Sequence, residues 1–357
     1  KQPELRQMLG QAYFGKGDYE KALPYLEEYT ENSSKKTNED YFRLGVSQYK
    51  IKEYNKAVTN LKALEGDNSE MGMYAMFYSG DAYLKLNDKN AARNAFQKAS
   101  TKDYDKQVVE ESLFNYAKLS IELGYDKEAL TTLQQFKPDS KFYNEAQELI
   151  SDVLVSSQDY EKAIKLLESI PDKSVKMTET YQKVLFYRGV QLHAQSSWDA
   201  CQLLFKKAMI TGSDLQIKAL SHFFIGDAMY NKEDIKNARL ELNTFIGMAK
   251  GLNNLPPQSS IAAANYDLGY TYFDEGNYNE ALKYFDQAMS GFKTYKASDD
   301  TYVGSAIIPD ITLRIGDCYL KKNNYNKAKE NYDIAITRNY PNLVYAMFQK
   351  AMISGLQ

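Results

Sequence analysis

Only two cysteines, Cys201 and Cys318, occur in 357 residues. So sparse a supply excludes a disulfide framework, and each stands where a small packing residue is expected. The two histidines, His193 and His222, have no cysteines or further histidines at metal-ligand spacing around them. No apolar run approaches the roughly 18 residues of a membrane-spanning helix. Basic residues are not in excess: 44 Lys and Arg face 47 Asp and Glu, a net charge of -3. With no basic stripe, nucleic acid and anionic membrane surfaces are not expected partners. Neither the G-x-x-x-x-G-K-[ST] phosphate loop nor the G-x-S-x-G nucleophile turn is found. No residue set reads as catalytic, no cofactor or metal is expected, and the chain is not expected to be an enzyme.

What is present is a ruler. In Leu268 to Ala288, LGYTYFDEGNYNEALKYFDQA, two amphipathic stretches flank a tight turn, and Gly269 and Ala281 stand twelve residues apart. A small residue, a second small one twelve later and a bulky residue four beyond that recur nine times. The sets are Gly10/Ala22/Leu26, Gly45/Ala57/Leu61, Gly80/Ala92/Phe96, Ala117/Ala129/Leu133, Ser151/Ala163/Leu167, Gly189/Cys201/Phe205, Gly226/Ala238/Leu242, Gly269/Ala281/Phe285 and Gly316/Ala328/Tyr332. The units repeat every 34 to 38 residues, lengthening to 43 and 47 after Gly226 and Gly269. A fixed period of this size marks an array of supersecondary units that share a core by stacking. The first small residue lets two helices approach, the second is the matching hollow, and the bulky knob is expected to fill the space against the next unit. Eight residues after each first small residue stand Asp18, Glu53, Asp88, Tyr125, Asp159, Ser197, Asp234, Asn277 and Asn324. Most are residue types that cap a helix start.

These nine in-phase sets resemble the tetratricopeptide repeat family, over roughly residues 3 to 357. With the small residue counted as eighth in its unit, the family's final small position, the twenty-seventh, holds Ala99, Ala208, Ala288 and Ala335, but larger Tyr29, Leu64, Phe136, Ile170 and Phe245 elsewhere. The helix-ending proline of the family is found only near Pro138 and Pro171. The resemblance implies an all-α, right-handed superhelical solenoid of about nine helical hairpins plus a terminal helix. Its units would be about 3–36, 38–70, 73–106, 110–143, 144–178, 182–215, 219–255, 262–300 and 309–342, with a half unit at 344–357. Read this way, the chain is one continuous array. Lys outnumbers Arg 37 to 7, a composition similar to that of long arrays from AT-rich, Bacteroides-like bacteria. On that likeness a periplasmic or cell-envelope location is favoured over a cytoplasmic one.

Local departures are expected at three places. Pro24 lies in the second stretch of the first unit and should bend that helix without breaking it. Residues 251–260 (GLNNLPPQSS) and 290–310 (SGFKTYKASDDTYVGSAIIPD) lengthen two connections, and such insertions often map to a binding face. The chain starts at Lys1 without Met, and residues 344–356 read as the first half of a tenth unit, so a piece of a longer array is expected.

Function should then be binding. In the family, the concave groove is lined from the first helix of each unit, mainly at its second, fifth, ninth and twelfth positions. The fifth position holds Gln7, Phe42, Phe77, Phe114, Gln147, Phe186, Phe223, Tyr266 and Leu313, with Phe348 in the half unit; the ninth holds Asp81, Asp152, Asp227 and Asp317, with Lys118 as a counter-example. The expected site residues are therefore Phe42, Phe77, Asp81, Phe114, Phe186, Phe223, Asp227, Tyr266 and Asp317. An aromatic and acidic groove of this kind would suit a basic or amphipathic protein or peptide. The Lys and Asn that some family members use to clamp an acidic C-terminus are not at these positions. The expectation is a non-catalytic interaction scaffold; the alternative is a regulatory or sensor module whose effector part lies elsewhere.

Overall fold

The structure is a computed structural model and describes residues 2–294 and 302–356. Among the described residues it holds nineteen α-helices and no strand. First helices of the hairpins are α1 (Gln2–Gly15), α3 (Asn38–Lys50), α5 (Glu70–Lys85), α7 (Lys106–Glu122), α9 (Tyr143–Ser156), α11 (Val175–Ala194), α13 (Leu215–Asn231), α15 (Ile261–Asp274) and α17 (Ile308–Lys321). Second helices are α2 (Tyr19–Asn32), α4 (Tyr54–Leu61), α6 (Lys89–Ser100), α8 (Asp126–Leu133), α10 (Tyr160–Ser169), α12 (Trp198–Thr211), α14 (Ile235–Ala249), α16 (Tyr278–Thr294) and α18 (Tyr325–Thr337), and α19 (Leu343–Leu356) ends the chain. The chain divides into two compact units, Lys1–Asp159 and Tyr160–Gln357. Within each, every second helix packs on the next first helix, as α2 does on α3 and α12 on α13. First helices also touch in sequence, α3 on α5 and α13 on α15.

The hairpin turn is one device used nine times. Seven residues after each first small residue the backbone enters the left-handed region, with φ between 57° and 80° at Gly17, Lys52, Asn87, Gly124, Gln158, Ser196, Glu233, Gly276 and Asn323. That kink lets the next residue's N–H reach back to a carbonyl of the last helical turn, as in Asp18 to Tyr13 (3.0 Å), Glu53 to Gln48 (2.8 Å), Asp234 to Met229 (2.9 Å) and Asn324 to Tyr319 (2.9 Å). A helix end that leaves carbonyls unpaired is thereby closed. The same residue then starts the second helix. Asp18, Asp88, Asp234, Asn277 and Asn324 accept there from a backbone N–H three residues on. Glu53, Tyr125 and Ser197 make no such side-chain bond.

The ruler is the interior. Ala22, Ala57, Ala92, Ala129, Ala163, Cys201, Ala238, Ala281 and Ala328 are all fully buried, and none of the nine knobs is more than 1% exposed. The knob sits on the glycine of its own hairpin: a Cβ at Gly45 would stand 2.6 Å from Leu61, at Gly189 2.6 Å from Phe205, and at Gly269 2.5 Å from Phe285. This sharpens the expectation that the knob fills the gap to the next unit. It does so only in part, as where Leu61 joins Ala75 and Met76 of the following hairpin, and its first task is to close its own.

Pro24 lies inside α2, which runs through it. Cys201 and Cys318 are buried, unpaired thiols. His222 is half-buried and shares a hydrogen bond with Glu241 of α14. Of the insertions, 251–260 forms a 3₁₀ turn at Pro257–Ser259, after which Ser260 caps α15. In the other, α16 is prolonged to Thr294 and a π-helical turn at Val303–Ile307 leads into α17; residues 295–301 of it lie outside the described residues. In α19, Ala346 and Ile353 are fully buried, whereas Val344, Met347, Phe348 and Met352 are exposed.

Candidate ligand-binding face

The expected aromatic row divides. Phe114, Phe186 and Phe223 are 5 to 7% exposed, and Phe42, Phe77 and Tyr266 are half-buried. Position five precedes the small residue by three, so both lie on the helix face turned toward the second helix. The rings accordingly meet the interior of their own hairpins: Phe77 on Phe96 (6.0 Å between centroids), Phe114 on Phe136 (5.9 Å), Phe186 on Phe205 (5.7 Å), Phe223 on Phe245 (5.3 Å) and Tyr266 on Phe285 (6.4 Å). As placed, Phe114, Phe186 and Phe223 offer almost no surface to a ligand. Phe42, edge-on to Phe14 at 6.5 Å, keeps more.

The carboxylates do face outward from the first helices, and neighbouring repeats answer them. In residues 1–159 the Tyr49 hydroxyl of α3 donates to Asp81 of α5 at 2.5 Å, and Lys85 stands 4.0 Å away on Asp81's other oxygen. Burial, with Asp81 adding, holds the Tyr49 phenol above its ordinary range. Tyr74 donates to Asp105 at 2.7 Å, a bond that, with burial, pushes its phenol up to about 12. Lys118 lies 3.5 Å from Glu145.

In residues 160–357 the same logic is denser. His193 Nε2 of α11 and Asp227 Oδ2 of α13 are 2.6 Å apart, the imidazole held between Trp198 and Phe224. This joins the twelfth position of one unit to the ninth of the next, as Tyr49 and Asp81 do. Tyr230 donates to Asp274 at 2.5 Å. Tyr266 (3.0 Å) and Tyr270 of α15 both donate to Asp310 of α17. Three donors converge on Asp317, 4% exposed: Arg314 Nη1 at 2.7 Å, Tyr332 at 2.7 Å and Tyr345 of α19 at 2.8 Å. Asp317 is therefore spent inside the fold, whereas Asp81 and Asp227 keep part of their surface.

Sequence reading missed Asp267 of α15. It faces the Asp227 charge, and burial together with that charge lifts its carboxyl well above the usual range. A carboxylate two residues before the small residue, on the face that carries the ninth-position acids, is the signal that would have found it.

The tetratricopeptide repeat model matches residues 3–36, 74–103, 262–290 and 310–341, falling on the hairpins α1/α2, α5/α6, α15/α16 and α17/α18. The chain carries tetratricopeptide repeats. No curated protein matches the chain. Among solved structures it is similar to the C-terminal part of a repeat-containing protein from Cytophaga hutchinsonii (16% identity, 72% of this chain and 98% of that one, TM-score 0.42). It is also similar to the APC/C hetero-tetramer Cut9–Hcn1 (10%, 99% and 96%, TM-score 0.43) and to yeast Tom70 (11%, 100% and 97%, TM-score 0.38). Tetratricopeptide repeats are non-catalytic protein–protein interaction modules. Among the described residues no helix is long and apolar enough to cross a membrane.

Proposed function

We propose that this tetratricopeptide array is a non-catalytic scaffold that holds a peptide or partner protein along the surface of its first helices. The observation that carries the reading is that each unit by itself presents a partly exposed carboxylate and half-buried rings on its first helices: Asp81 with Phe42 and Phe77 in 1–159, Asp227 with Tyr266 in 160–357. Such a surface mixes apolar anchors with negative charge, which suits a basic or amphipathic ligand. His193 supports binding better than chemistry, since its Nε2 is committed to Asp227 and its ring is packed between two others.

A photo-crosslinking amino acid placed at Phe42, Phe77 or Tyr266, one at a time, tests this in lysate of the source cell. Ile210, 85% exposed on the second helix α12, is the control position. One partner trapped from the first-helix positions and not from Ile210 supports the scaffold reading. The same partner trapped from Ile210 alone moves the binding surface to the second helices and overturns it.

A further inference from the structure

Two successive grooves of residues 1–159 are finished differently. In the later one, Arg93 of α6 reaches across to α7: its Nε donates to Ser120 at 2.8 Å and its Nη2 to Tyr116 at 3.1 Å, and Gln97 also donates to Tyr116, at 3.3 Å. The guanidinium lies over the rings of Tyr116 and Tyr125. One repeat earlier the corresponding residues are small. Val58 follows Ala57 as Arg93 follows Ala92, and Ser79 precedes Gly80 as Tyr116 precedes Ala117. A cavity of about 210 Å³ is left there, floored by α5 and walled by α4 and α6. Val58, Met76 and Ala95 give it apolar surface.

Its polar groups are unspent. Ser79, on the floor, is 3% exposed, and its hydroxyl has no hydrogen-bond partner. Among the described residues the Tyr83 hydroxyl, the Asn94 amide and the Lys62 ammonium, which line the same cavity, form no hydrogen bond or ion pair either. Lys98 is committed to Glu65; that bond holds the Glu65 carboxyl below the usual range, and the Lys62 charge adds to the pull. The cavity thus carries two ammoniums against one carboxylate. A buried hydroxyl without a partner is a cost that a ligand can relieve, and apolar walls with a few polar groups are what a small molecule needs. Each unspent group can donate a hydrogen bond, Lys62 can do nothing else, and the charge left over is positive.

We propose that the cavity between α4 and α6 binds a small carboxylic acid, its carboxylate held by Lys62 and the neutral donors and its hydrocarbon part laid on Val58, Met76 and Ala95. The ammonium–carboxylate contact is a charge-assisted hydrogen bond, stronger than its neutral counterparts. Asp81 stands two residues from Ser79 and two from Tyr83, a spacing that turns it away from both on the helix. The site is therefore separate from the acidic face of the first helices, and neither reading depends on the other.

The chain, labelled with ¹³C at the methionine methyls, is titrated with sodium hexanoate at constant ionic strength. The Met76 resonance, assigned by its loss in Met76→Leu, should shift saturably. Hexan-1-ol and n-hexylammonium, which share the hydrocarbon and lack the negative charge, should shift it little at the same concentration. Lys62→Gln should need about tenfold more hexanoate. Val58→Arg, which supplies the side chain that the later groove has, should abolish the response, with circular dichroism confirming the fold. Lys62 is exposed, so Lys62→Gln carries the test should Val58→Arg not fold. No saturable shift, an equal shift with the alcohol or the amine, or a hexanoate response left unchanged by Lys62→Gln or by folded Val58→Arg overturns the proposal.

Discussion

Residues 1–159 and 160–357 are built on one ruler but answer their acids differently. In the first unit, ties between successive repeats are mostly pairs with solvent access: Lys89 with Glu122 at 2.9 Å, Lys106 with Asp139 at 3.3 Å and Lys118 with Glu145 at 3.5 Å, all with both partners well exposed. Such pairs contribute little. In the second unit, phenols, an imidazole and a guanidinium are drawn in over carboxylates, and Asp317 with its three donors is buried. The knob-and-hollow interior is the same in both. The difference lies in the outer faces of the first helices, where packing leaves the residue types free.

The largest test of that contrast is truncation of the acid. Asp317→Ala leaves the buried Tyr332 hydroxyl and the half-buried Tyr345 and Arg314 without this acceptor, Arg314 keeping Asp310, and should cost about 2–4 kcal/mol. Asp81→Ala in the first unit strands Tyr49 and a largely exposed lysine, and should cost about 1–2 kcal/mol. Opening free energies from hydrogen exchange at α17 and α5 read the two locally, as suits an array whose repeats open in parts. Equal costs would erase the distinction between the units.

Alkaline pH gives the next effect. Among the described residues, six phenols of 160–357 that donate to carboxylates, Tyr181, Tyr230, Tyr266, Tyr270, Tyr332 and Tyr345, are held above the ordinary value, Tyr345 up to about 12; in 1–159 Tyr49 and Tyr74 are. Raised phenols keep their protons in the folded state while unfolded tyrosines lose theirs. The stabilisation is therefore complete below about pH 10 and declines above it, by about 1.4 kcal/mol per pH unit for each such tyrosine. Between pH 10 and 12 the helices of 160–357 should lose exchange protection before those of 1–159. Simultaneous loss would mean that the phenol ties do not set the difference.

The interior offers a smaller version of the same comparison. A Cβ on Gly269 meets three atoms of the rigid Phe285 ring within 3.0 Å, whereas on Gly45 it meets the branched end of Leu61. Both Gly→Ala changes overpack and should cost about 1–3 kcal/mol, Gly269→Ala at the upper end, because a leucine end can rotate aside and a ring seated against its neighbours cannot. Thermal melts of the two single variants check the order.

How much of this could be read from the chain follows from where each feature lives. The nine small–small–knob sets were legible because all three members are interior, so packing fixes residue type at fixed spacing. The fifth-position aromatics were legible as a row but not as to side: Phe186 lies three residues before Gly189, a spacing that points the ring at Phe205. The abundance of tyrosine was legible only as packing, since Tyr49 to Asp81 or Tyr270 to Asp310 spans 32 and 40 residues with no local pattern. Asp267 was hidden for the opposite reason: what distinguishes it is that no hydrogen-bond donor reaches it among the described residues, which is defined only once its neighbours have been placed.

The turn was concealed by residue identity. Its left-handed position is Gly at 17, 124 and 276, but Lys52, Gln158 and Glu233 are long side chains with φ of 70°, 61° and 65°. An L-residue pays roughly 1–2 kcal/mol to sit there, and glycine, which has no Cβ to clash, recovers this less its greater chain entropy in the unfolded state. Lys52→Gly and Glu233→Gly should each stabilise their hairpin by about 0.5–1 kcal/mol, one in each unit. At Gly276, φ 77° with open space where a Cβ would go, Ala should destabilise by about as much, through backbone strain alone. Because the two glycine substitutions touch neither the carboxylates nor the phenols, they should act alike in 1–159 and 160–357. A gain in one unit and not the other would show that the two differ in how their hairpins close as well as in how their outer faces are tied.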